Sequence, residues 1–139
     1  AETARGAILA GAEFVVAPNF NPEVITLCNR YSVVSIPGAL TPTEVMQAWE
    51  CGADVVKIFP AGSFGPSYIK ALLAPLPQVK LAPVGGVGPD NVTEYMRAGA
   101  ACVGVGSSLV NSRLIADKDW QGLTDRAKAL VDGVQAGRS

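Results

Sequence analysis

Residues 80–108 read KLAPVGGVGPDNVTEYMRAGAACVGVGSS, and this stretch decides between two α/β architectures. An apolar run ending at Val84 meets the pair Gly85-Gly86, and a helical stretch follows. A second apolar run, Ala101–Val105, then meets Gly104-Val105-Gly106-Ser107-Ser108. Glycine at a strand end lets backbone N–H groups approach an anion, a helix start beyond it adds positive potential, and Ser107 adds a hydroxyl. One such turn has an ordinary steric explanation. Two in succession, after consecutive strands, match the paired phosphate loops after strands 7 and 8 of a (β/α)₈ barrel. On that numbering the chain supplies strands 4 to 8, and three βα units lie outside it.

The rest of the chain has the same unit. Nearly continuous apolar runs at Phe14–Ala17, Val33–Ile36, Asp54–Phe59, Lys80–Val84 and Ala101–Val105 predict parallel strands covered on both faces. Helical patterns fill the gaps. Thr41-Pro42-Thr43-Glu44 is an N-cap followed by a first-turn proline and an acid, and the run from Pro89, with Asp90 and Glu94, repeats the device. Gly11, Gly52 and Gly99 each stand where a left-handed residue would close a helix, and each is followed by alanine and a strand. A last helix is predicted over Asp119–Gln135, with Leu123, Ala127, Leu130, Val131 and Val134 at helical spacing. Periodicity alone fits a doubly wound open sheet equally well; the glycine turns, with Pro18, Pro37 and Phe59-Pro60-Ala61-Gly62 also at strand ends, favour the barrel.

With 139 residues, 49% hydrophobic and 17% charged, the chain is read as one partial barrel domain over 1–139. A net charge of -1 provides no field for nucleic acid, and the apolar runs are too short to span a bilayer. Three separated cysteines without a CxxC pair predict reduced thiols and a cytoplasmic setting. Histidine is absent, which excludes a His-based triad or a His-ligated metal in this chain.

Lys57 is the candidate catalytic residue. Alternation along Asp54–Pro60 puts Val55, Lys57 and Phe59 on one face and Val56 and Ile58 on the other. Inside a barrel, apolar neighbours would lower the lysine pKa and free a nucleophilic amine able to form an imine with a ketone. Taken as an isolated residue it favours the plainer reading, an edge-strand lysine whose stem packs and whose head reaches water. Lys70, Lys80, Lys118 and Lys128 read as solvated, Tyr31, Tyr68 and Tyr95 as packing residues, and Asp54 as part of the opposite, stability-bearing end.

Several motifs in order carry a resemblance over essentially the whole chain. They are Gly11–Pro18, Ile36-Pro37-Gly38 with Thr41–Glu44, Val56-Lys57-Ile58-Phe59-Pro60-Ala61, Phe64–Leu72, Pro83–Val87 and Val103–Ser107. Together they resemble the 2-keto-3-deoxy-6-phosphogluconate aldolases. The resemblance implies a class I aldolase that cleaves a six-carbon keto-deoxy sugar-acid phosphate to pyruvate and glyceraldehyde 3-phosphate, needs no cofactor and assembles as a homotrimer. Lys57 would form the imine, Gly85, Gly86, Gly106 and Ser107 would hold the phosphate, and Pro18, Pro37 and Phe59 would line the pocket. The family's catalytic glutamate belongs to its second strand, outside this chain, and none of Glu2, Glu13 and Glu44 matches its context. Weak or absent turnover of the chain alone is therefore expected. Val84, where gluconate-type enzymes usually carry threonine, is similar to the galactonate-type enzymes and leaves the sugar epimer open. Two other readings stand beside this one: a non-catalytic piece that acts by pairing with a complementary chain, and a different phosphate-binding barrel that needs no Lys57.

Overall fold

The computed structural model describes residues 1–138. Its strands are β1 (Phe14–Val16), β2 (Val34–Ile36), β3 (Gly38–Ala39), β4 (Val56–Ile58) and β5 (Leu81–Pro83). Its helices are α1 (Glu2–Leu9), α2 (Pro22–Tyr31), α3 (Pro42–Glu50), α4 (Pro66–Leu73), α5 (Val92–Arg97), α6 (Ser112–Ala116) and α7 (Trp120–Arg138). All pairings are parallel: β1 with β2, β3 with β4, β4 with β5, and a single bridge from Val84 to Gly104. Since β2 runs on into β3, each new strand is laid beside its predecessor, always in the same direction. Such singly wound order, with no reversal, belongs to the barrel class and not to the doubly wound sheet.

One face of this arc is covered by helices. Val56, Ile58 and Leu81 are fully or almost fully buried in one cluster with Ile25, Val45, Ile69, Val92 and Tyr95 of the surrounding helices. Each aliphatic side chain so buried contributes about 1.5–3 kcal/mol. Lys57 alternates onto the other face, where its register partners are Gly38 and Ala82.

Helix punctuation is as the local sequence demands. Thr41 and Glu44 form a complete capping box. N–H groups of Thr41 and Leu40 hold the Glu44 carboxyl below the ordinary carboxylate range. Gly11, Gly52 and Gly99 have φ of 99°, 90° and 102°, and each closes its helix with a paired hydrogen-bond motif, as where Gly52 N–H meets Trp49 C=O and Ala53 N–H meets Ala48 C=O.

Three expectations change. The strand expected over Val33–Ile36 continues beyond Pro37 as β3, because proline has no N–H to carry the β1 ladder onward while its carbonyl accepts the Lys57 N–H at 2.9 Å. The strand expected over Ala101–Val105 shrinks to the bridge at Gly104: only one flank is paired, and glycine there lies beneath the Val84 side chain. The helix expected from Pro89 starts at Val92, with Asn91 at its N-cap position.

α7 is longer than predicted although glycine is a poor helix former. Gly133 and Gly137 let it lie against α5, since a methyl at either would come within 2.5 Å of Val92 or Met96 carbons. Thr93 Oγ1 donates to the Gly133 carbonyl at 3.1 Å, and Arg138 and Arg126 tie α7 to the carbonyls of Ala101 and Ser108.

Gly38 and Gly6 make opposite tests of this packing. A methyl on Gly38 would overlap the Pro18 carbonyl, which is backbone and unable to yield, whereas Gly6 faces open space within α1. In urea titrations Gly38→Ala is expected to cost about 1–3 kcal/mol, and Gly6→Ala to add about 0.5–1 kcal/mol.

Candidate active site

Strand β4 presents Lys57 on the uncovered face with 9% of its surface exposed. Desolvation lowers its pKa below the ordinary 10.5. No carboxylate among the described residues pairs with it, so no opposite charge offsets that loss of hydration. Its Nζ lies 4.7 Å from the centre of the Phe59 ring, a contact that touches the cation without neutralising it. Burial thus shifts the balance toward the neutral amine, which is the nucleophilic form.

Loops at the same end of the strands surround it. Phe59 packs against Gly85, whose φ of 84° and missing side chain admit the ring: an added Cβ would lie 3.0 Å from it. The Phe59-Pro60 bond is cis, and beyond it Gly62 donates to the Gly85 carbonyl at 2.7 Å. Gly62 and Gly86 leave no room for a methyl on either; one on Gly86 would come within 2.8 Å of the Gly62 Cα. The loops after β4 and β5 are thus pressed backbone to backbone beside the lysine.

The second glycine turn joins them. Ser108 Oγ donates to the Val87 carbonyl, and Arg126 holds the Ser108 carbonyl from α7. Gly106 and Ser107 are exposed at this junction. The backbone N–H groups of Gly85, Gly86, Gly106 and Ser107 donate to no other group of the described residues. The expected helix-start contribution is displaced, because α5 and α6 begin only at Val92 and Ser112. Any anion held here would be held by the loops' own N–H groups.

Of the pocket residues expected from the sequence, Pro37 is buried and accepts the Lys57 N–H at its carbonyl, and Pro18 lies against Gly38, the lysine's register partner. Asp54 sits away from the lysine and accepts from the N–H and hydroxyl of Ser35. Sequence reasoning placed Gly62 and Ser108 in the strand-end turns without assigning either a role in the site, and it passed over Asn91. Tyr68 was read as packing, yet its hydroxyl also donates to the Leu40 carbonyl at 2.6 Å, fixing the loop after β3. The three cysteines are free thiols, and no helix among the described residues is long and apolar enough to cross a membrane.

A buried lysine on a strand of barrel-class winding thus stands beside glycine loops whose N–H groups have no partner among the described residues. The family model for KDPG and KHG aldolase matches residues 1–126, and the chain belongs to that family. It is 40% identical over 126 residues to the 2-dehydro-3-deoxy-6-phosphogalactonate aldolase of Escherichia coli K12, covering 90% of this chain and 62% of that protein. The solved structure of native KDPGal is 38% identical with a TM-score of 0.85, covering 96% of this chain and 66% of that one. The KDPG aldolase of Legionella pneumophila, solved with pyruvate captured as a covalent carbinolamine, is 30% identical with a TM-score of 0.80, covering 91% and 61%. The chain thus spans about three-fifths of the length of the first curated relatives it matches.

The lowered pKa of Lys57 gives a pH test with a defined sign. Between that value and 10.5 the folded chain holds fewer protons than the unfolded one, so stability rises with pH across the window. Lys57→Met removes the buried charge at similar volume. It should be more stable than the wild type at pH 7, with the gap closing as pH approaches 10.5. Urea midpoints at a series of pH values check this; a gap independent of pH would contradict it.

Proposed function

We propose that the whole protein is a class I aldolase in which Lys57 forms the imine and the arc described here occupies strands 4 to 8 of a (β/α)₈ barrel. The observation that carries this reading is the desolvated, carboxylate-free amine of Lys57 beside two glycine loops. The neutral amine adds to the C2 ketone of a 2-keto-3-deoxy-6-phospho sugar acid, and the carbinolamine loses water to give an iminium ion. A base takes the proton of the C4 hydroxyl, the C3–C4 bond breaks, and its electron pair moves into the iminium to form an enamine. Glyceraldehyde 3-phosphate leaves; protonation at C3 and hydrolysis then release pyruvate and return the amine.

In this reading Pro18, Pro37 and Phe59 line the pocket, and the N–H groups of Gly85, Gly86, Gly106 and Ser107 with the Ser107 hydroxyl hold the phosphate. The proton-transferring glutamate belongs to a part of the barrel that this chain does not supply. Val84 favours the galactonate epimer, and the whole protein is a cytoplasmic homotrimer. The chain is read as a single partial-barrel domain.

Pyruvate release coupled to lactate dehydrogenase tests the reaction, with both epimeric substrates offered to the chain. Turnover is expected about 10²–10⁴-fold below that of a complete family member, as for loss of a general base. Replacing Lys57 by alanine should abolish what remains. Full turnover by the chain alone, or turnover surviving that replacement, would overturn the proposal.

A second reading has an observation of its own. Phe14, Val16 and Val34 share one face of β1 and β2 and are 59%, 46% and 42% exposed. At the other end of the arc a cleft of about 510 Å³ opens between Val103, Val105 and Leu109 and the Leu130 and Val134 side of α7. Two apolar flanks of this kind suit association with a complementary chain. Gel filtration with cross-linking should then find an assembly, and a clean monomer at high concentration would contradict it.

A further inference from the structure

Asn91 was not among the residues expected to matter, and at the N-cap position of α5 it does not cap its own helix. Its side chain turns back instead. Oδ1 accepts the Gly88 N–H at 2.9 Å, and Nδ2 donates to the Gly86 carbonyl at 2.9 Å. It therefore grips two consecutive peptide planes, Gly86–Val87 and Val87–Gly88.

Planarity makes the consequence definite. In a trans peptide the C=O and N–H point in opposite directions. With the Gly86 carbonyl drawn toward Asn91, the Val87 N–H is turned to the other side, where it donates to no group of the described residues. With the Gly88 N–H drawn toward Asn91, the Val87 carbonyl is likewise turned away, and it accepts the Ser108 hydroxyl of the second glycine loop. Gly88 leaves room for this contact, since a Cβ there would lie 3.3 Å from the Ser108 Cβ. One side chain thus orients the first loop and sets the point at which the second docks.

The geometry points to Asn91 as a positioning residue that fixes the two peptide planes behind the free N–H groups of Gly85 and Gly86 and registers the two glycine loops as one anion cradle. The inference rests on the phosphate reading above and deepens it. Asn91 touches no substrate; it fixes the direction of backbone donors that do. Without it the loop keeps its glycines, whose φ values of 84° and 77° are readily abandoned, and the donors lose their fixed direction.

Isothermal titration of the folded chain with inorganic phosphate, and with glyceraldehyde 3-phosphate, tests this. Asn91→Ala removes both hydrogen bonds. Asn91→Leu removes both at similar volume without adding charge, and serves if the alanine variant does not fold. Thr93→Ala, which breaks the α5–α7 contact without touching the loops, reports what a merely structural loss on the same helix does. Either Asn91 variant is expected to weaken phosphate binding about tenfold, with Thr93→Ala close to wild type. Unchanged binding in both Asn91 variants, or losses in step with Thr93→Ala, would overturn the role of Asn91 alone. A folded wild-type chain that binds neither ligand would overturn the cradle reading and this inference with it.

Discussion

Everything at this site depends on keeping one amine in a dry place without a counter-ion. Val56 and Ile58 are wholly buried against the helices, so β4 cannot rotate, and Lys57 between them must face the opposite side. Its neighbours there are Gly38 and Ala82, which are small enough to leave room beside a long side chain. Desolvation is the sole resolved cause of its lowered pKa. A carboxylate partner would make the group more comfortable and less reactive, because it would favour the charged form.

The loops solve a different problem, which is bringing three backbones close together without side chains in between. Gly62, Gly85 and Gly86 do so by contact, and Gly85 also makes room for the Phe59 ring over the lysine. Hydrogen bonds from Gly62 to Gly85 and from Ser108 to Val87 then join the turns after β4, β5 and residue 105. Arg126 extends the chain of contacts to α7, which is held against α5 by Gly133 and Gly137. Support for the site therefore reaches it from the last helix.

Much of this was legible before any coordinates. Four of the five strand cores, the closing glycines at 11, 52 and 99, and the N-cap at Thr41 follow from local rules, and the structure has them where expected. The facing of Lys57 followed from alternation, because Val56 and Ile58 left only one side for the packed core. Barrel-class winding was less direct: it needed both glycine turns, since periodicity fits a doubly wound sheet as well. What stayed hidden depends on contacts distant in sequence. Nothing in Ala101–Val105 announces that pairing would come from one side only. The glycine–glycine contact of Gly62 with Gly86 spans two loops. Asn91 drew no reading, because a side chain turned backward leaves no pattern in the sequence.

The central claim, that Lys57 is an imine-forming lysine in a pocket that this chain already shapes, is tested most directly by trapping. The chain is incubated with pyruvate, reduced with borohydride, and mapped by mass spectrometry. A single reduced adduct on Lys57, with Lys70, Lys80, Lys118 and Lys128 unmodified, is the predicted result. Adducts spread over all the lysines, or none at all, would contradict it and leave Lys57 as a packing residue of β4.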